Sequence, residues 1–140
     1  MKPVSLSKKI GISGIHVLQI LLLTAVGMLQ RYTRLRPMLM RHLYTRNLEY
    51  SEAFFTDGLR LVQSGILLFI GIGVLWILVR RREELRSLTR VEGIILPLLC
   101  LLIISFVNLA YFQGLITYSY WIFAGYLLLS LQGVVIRISR

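Results

Sequence analysis

The sequence predicts an all-α integral membrane protein, with four transmembrane helices in a small bundle and an amphipathic interfacial helix between the first and second. Three observations carry that prediction. The chain has 140 residues, of which 56% are hydrophobic and only 16% charged, with a mean hydropathy of +0.74. A soluble domain of this size would expose too much apolar surface. The apolar residues fall into four runs, each near the length of about 20 residues that spans a hydrocarbon core. The basic residues gather at the ends of those runs.

The first span is read at residues 10–29. Lys2, Lys8 and Lys9 precede it, and Arg31, Arg34 and Arg36 follow. A basic start, an apolar middle and the small-x-small segment Ala25-Val26-Gly27 also fit a signal peptide. The length of the run and the arginines just after it favour a retained helix. His16 and Gln19 lie in this span, three positions apart and so on one helix face.

Residues 30–58 form the external loop and the longest polar segment. Pro37 should end any helix leaving the first span. Beyond it, Met40, Leu43, Tyr44 and Leu48 recur at helical spacing among Arg41, His42, Arg46, Glu49 and Glu52. That pattern suits an amphipathic helix lying on the membrane. The alternative is one long helix that starts near Ser51 and continues into the second span.

The second span, residues 59–79, carries Gly65, Gly71 and Gly73, which thin one side for close approach of another backbone. Residues 80–90 are a polar hinge with five arginines: Arg80, Arg81, Arg82, Arg86 and Arg90. Within it, Thr89-Arg90-Val91-Glu92 fits a capping box, which predicts a helix start near Thr89. The third span, residues 91–112, holds Asn108 as its most polar deep residue, with Ala110 and Gly114 as a small-xxx-small pair near its end. The fourth span covers residues 118–136 and closes on Arg137 and Arg140.

With four spans, ten of the 16 lysines and arginines fall on the side of the hinge and termini and six on the other. The positive-inside rule places both termini and the hinge in the cytoplasm of a cell (inner or plasma) membrane. Tyr32, Tyr44, Tyr50, Phe54, Phe55, Tyr111, Phe112, Tyr118, Tyr120 and Trp121 then form an aromatic belt at the opposite interface.

The formal net charge of +10 would suggest nucleic acid on a soluble chain. Here the charge flanks apolar runs and no nucleic-acid motif is present, so lipid headgroups are the expected contact and no nucleic acid is expected. Cys100 is the single cysteine and cannot form an intrachain disulfide. No P-loop, nucleophile elbow, zinc spacing or dinucleotide glycine pattern appears. Glu83 and Glu84 lie among arginines, and apart from Arg60 at the outer edge of the second run no Asp, Glu, Lys or Arg falls within the runs Ile10–Leu29, Leu59–Val79, Gly93–Phe112 and Tyr118–Ile136. That weighs against a proton-coupled carrier acting alone. Bis-histidine haem ligation needs two histidines at matching depth, whereas His16 lies in a span and His42 in the loop. Multidrug exporters and fluoride channels share the four-span layout, but the intramembrane Glu of the former and the glycine- and asparagine-rich filter of the latter are missing from these runs.

The expected function is therefore a non-catalytic accessory or scaffold subunit of a larger membrane complex, with no catalytic residue, cofactor or metal. The alternative is a small channel or transporter subunit acting as an oligomer, and a haem- or quinone-associated redox subunit ranks below both. Helix packing is assigned to His16, Gln19, Gly65, Gly71, Gly73, Asn108, Ala110 and Gly114. Contact with anionic headgroups or with partner subunits is assigned to Arg80, Arg81, Arg82, Arg86, Arg31, Arg34, Arg36 and Arg41.

Overall fold

A computed structural model describes residues 5–85 and 87–140. Every regular element among them is helical: α1 (Leu6–Leu35), α2 (Pro37–Phe54), α3 (Asp57–Arg80), α4 (Ser87–Asn108), α5 (Ala110–Gln113) and α6 (Tyr118–Ser139). Helices α1, α3, α4 and α6 are long and apolar enough to cross a membrane. The protein is a multi-pass membrane protein built as a small helical bundle. Four crossings put the hinge between α3 and α4 at the same end as the start of α1 and the end of α6.

The breaks between helices have local causes. Ser5 caps α1 by accepting from the Lys8 amide at 3.4 Å. Arg36, the residue before Pro37, is extended at φ −129° and ψ 105°, and Pro37 then opens α2. Steric clash with a following proline disfavours the helical region, so the turn is fixed here. Thr56 is extended at ψ 159° and separates α2 from α3. The alternative of one helix running from Ser51 into the second span is therefore not what forms. Helix α2 packs instead on α1 and α6.

The third span ends sooner than expected. Leu109 is extended at ψ 126°, and residues 110–113 make a separate short helix. The end of α4 is fixed by side-chain donors, because its last carbonyls have no helical partner. Tyr118 Oη–H donates to the Val107 carbonyl at 2.8 Å. Gln113 Nε2 donates to the same carbonyl at 3.1 Å and to that of Asn108 at 3.2 Å.

Packing runs in the order α1–α6–α4–α3. The two central helices bury 39% of their apolar windows and the two flanking helices only 11%. Leu67, Leu96, Cys100, Ile103, Val107 and Ile122 form the core between α3, α4 and α6. Three glycines permit the close approaches. A Cβ on Gly71 would sit 3.7 Å from Cys100 Cβ, one on Gly93 only 2.7 Å from Leu78 Cδ2, and one on Gly125 only 2.9 Å from Ile103 Cγ1.

Candidate functional site: a polar ring between three spans

Four polar side chains meet inside the bundle, toward the hinge end. Helix α1 supplies His16 and Gln19, α4 supplies Glu92, and α6 supplies Gln132. His16 Nδ1 donates to Gln19 Oε1 at 2.9 Å. Gln19 Nε2 donates to Gln132 Oε1 at 3.2 Å. Gln132 Nε2 donates to Glu92 Oε2 at 2.9 Å. His16 Nε2 and Glu92 Oε1 close the ring at 3.1 Å.

The direction of these bonds is fixed from outside the ring. The second hydrogen of Gln132 goes to the Glu92 carbonyl at 3.0 Å, and Gln19 Nε2 also lies 3.5 Å from the Leu128 carbonyl. Flipping either amide would set oxygen against oxygen. With Nδ1 committed as a donor, His16 and Glu92 share one proton. They are either imidazolium and carboxylate, or neutral imidazole and carboxylic acid. Both forms satisfy every ring atom. Gln132 is fully buried and Glu92 is 6% exposed, so an unmade bond here would carry a large desolvation penalty.

Glu92 corrects two expectations. The Thr89–Glu92 capping box does not form. Helix α4 already runs from Ser87, and the Thr89 hydroxyl donates to the Ser139 carbonyl at 3.1 Å, tying α4 to the end of α6. Glu92, taken for a cap, is thus an ionisable side chain inside the bundle. Glu92 and Gln132 were absent from the packing residues read from the sequence. A faint signal existed: Glu92 directly precedes the apolar run Gly93–Val107, and Gln132 sits inside the last span.

A second polar layer lies toward the other end. Trp121 Nε1–H donates to Gln30 Oε1 at 2.7 Å, and the Thr117 hydroxyl to the same oxygen at 3.4 Å. Asn47 Oδ1 accepts the Ser119 amide at 2.8 Å, so α2 caps the start of α6. Gln19 and Gln30 are eleven residues apart on α1, about 16 Å along the axis. Between the two layers the α1–α6 contact is lined by apolar residues such as Leu22, Val26, Ala124 and Leu127. No chain of polar groups joins the two layers among the described residues, and the ring's bonds clasp α1, α4 and α6 together.

The other residues singled out from the sequence fall as follows. Gly71 faces α4, but Gly65 and Gly73 meet nothing of this chain within 4 Å. Asn108 donates to Ser64 Oγ at 2.8 Å, linking α4 to α3. Ala110 and Gly114 are exposed at the two ends of α5, and the Gly114 amide donates to the Ala110 carbonyl at 3.2 Å. Arg31, Arg34, Arg36, Arg41, Arg80, Arg81 and Arg82 are all exposed. The headgroup assignment of Arg86 lies outside the described residues. His42 is exposed on α2, beyond the far end of α1 from His16, and both ring nitrogens of His16 are already engaged.

The chain matches no family model, and searches of curated proteins and of solved structures find nothing similar to it.

Proposed function

We propose that the protein is a non-catalytic accessory or scaffold subunit of a larger assembly in the cell membrane, with hinge and termini on the cytoplasmic side. The observation that carries this reading is the outward face of α3. Gly65 and Gly73 leave open notches there, beside Phe69 at 81% and Trp76 at 59% exposure. Notches between large knobs, repeated on one helix face, fit another helix better than they fit fluid lipid tails. The titratable and amide groups of the ring favour the same reading, because they close on each other inside one copy. A pore made from several copies would need such groups turned toward a shared axis. The exposed arginines from Arg31 to Arg41 offer a second contact surface on the side of α2, and those of the hinge would rest on anionic headgroups.

The test is purification of the protein in a mild detergent, with mass spectrometry of what accompanies it. Gly65→Leu and Gly73→Leu enter open space, so the fold is expected to remain intact while the accompanying subunit is lost at least tenfold. A homogeneous monomer, or partners held equally by both variants, would sink the proposal. Recovery of this chain alone as a defined oligomer would favour the channel reading.

A further inference from the structure

At the hinge end, a cavity of about 590 Å³ opens between the ends of α3 and α6, lined by Trp76, Ile77, Arg80, Arg81, Glu84 and Arg140. Arg80 ends α3 and Arg81 caps it, while Arg140 caps α6. Cations at helix C-termini are favourable in themselves, since each terminus carries partial negative charge. That accounts for each arginine separately. It does not account for three of them lining one cavity in which Glu84 is the one acidic side chain. Among the described residues, the ion pairs are His16–Glu92, Arg46–Glu49 and Arg60–Asp57, so none of the three arginines is neutralised in this way. One is also held in place: the Arg80 guanidinium lies 5.0 Å from the centre of the Trp76 ring, a cation–π distance that restricts its rotamers.

We infer that this cavity binds the phosphate of an anionic lipid headgroup in the leaflet on the hinge side. Guanidinium groups recognise phosphate oxygens in pairs of parallel hydrogen bonds. A tryptophan marks the depth at which headgroup meets hydrocarbon. The apolar continuation favours a lipid over a free phosphate. Ile77, Ile70 and Ile66 recur at helical spacing down α3 from the cavity, at 48%, 37% and 56% exposure, and give an acyl chain a track beneath its headgroup. The inference rests on the reading of the hinge as a headgroup contact, and narrows it from diffuse attraction to a site with named walls.

The experiment reconstitutes the full chain with phosphatidylglycerol in a phosphatidylcholine background and measures the phosphatidylglycerol retained on mild extraction. Arg80→Gln, Arg81→Gln and Arg140→Gln are each expected to lower retention about fivefold. Arg82→Gln removes the same charge from the same exposed hinge but not from the cavity wall, and is expected to lower it by less than the cavity variants do. Equal loss with Arg82→Gln would overturn the site and leave only diffuse attraction. Absence of a preference for phosphatidylglycerol in the unaltered protein would overturn it outright. Full displacement of the lipid by inorganic phosphate would overturn the lipid assignment. Loss of co-purifying subunits in the Gly65→Leu variant bears on none of these outcomes.

Discussion

The two polar layers of the bundle are built on different principles. The ring at the hinge end joins side chain to side chain across three spans, contains an acid and a base, and closes on itself. The layer near α2 is neutral and combines side-chain bonds to Gln30 with backbone caps. Asn47 accepts the Ser119 amide, while Gln113 and Tyr118 donate to the last carbonyls of α4. Backbone caps are local, and each can fail alone. A closed ring fails together, because each member satisfies two others and two of them, Glu92 and Gln132, are buried. The hinge end is therefore the place where a single substitution should separate the helices, and the α2 end the place where substitutions should fray them one at a time.

The largest effect is expected at Glu92. Glu92→Leu leaves His16 Nε2, on a side chain 33% exposed, and one hydrogen of the buried Gln132 without partners, and should lower stability by about 2 kcal/mol. Intramembrane hydrogen bonds average only about 0.6 kcal/mol when measured by pairs; the larger figure comes from the orphaned groups. Glu92→Gln keeps the ring, since its amide nitrogen can donate to His16 and its oxygen can accept from Gln132. It should stay within about 0.5 kcal/mol of the unaltered protein. Unfolding in a detergent titration would measure both. Equal loss in the two variants would mean that charge, and not hydrogen-bond geometry, holds the hinge end together.

The difference between the layers also decided what could be read in advance. Span number, the break at Pro37 and the amphipathic α2 follow from hydropathy, periodicity and the sterics of proline, which are properties of short stretches. His16 and Gln19 could be paired because they are neighbours on one helix. Their partners could not be identified, because His16 and Glu92 are 76 residues apart, and Gln19 and Gln132 are 113 apart. Thr89-x-x-Glu92 satisfies the pattern of a helix cap equally well, and only the approach of α1 and α6 turns Glu92 inward. The early end of α4 was hidden for the same reason. The apolar run continues past Asn108 without a sequence signal for a stop, and the donors that fix the end, Gln113 and Tyr118, arrive from beyond the break. Gly65 and Gly73 look identical to Gly71 in sequence. Only the position of α4 shows that one is filled and two are open.

A middle-sized effect is expected where α2 meets α6. Asn47→Ala removes the acceptor for the Ser119 amide, and should cost about 1 kcal/mol, the usual value of a lost N-terminal cap. Hydrogen exchange would localise the loss to the first turn of α6, with the ring at the other end still protected. Exchange that rises equally at Gln132 would abolish the distinction between a fraying end and a cooperative one.

The smallest effect is expected at Asn108, which belongs to neither layer. Its Nδ2 donates to Ser64 Oγ at 2.8 Å and to the carbonyl of Ile104, in its own helix, at 2.9 Å. The residue is exposed, so Asn108→Leu leaves little buried and unpaired. The Ser64 hydroxyl can turn to a carbonyl of its own helix, as Ser105 does toward Leu101 at 2.9 Å. A loss of about 0.6 kcal/mol, the ordinary size of an intramembrane hydrogen bond, follows. Detergent titration of Asn108→Leu beside Glu92→Leu sets the two on one scale. If Asn108→Leu matched Glu92→Leu, the α3–α4 contact would be as cooperative as the ring, and enclosure would not be what makes the hinge end fail as a unit.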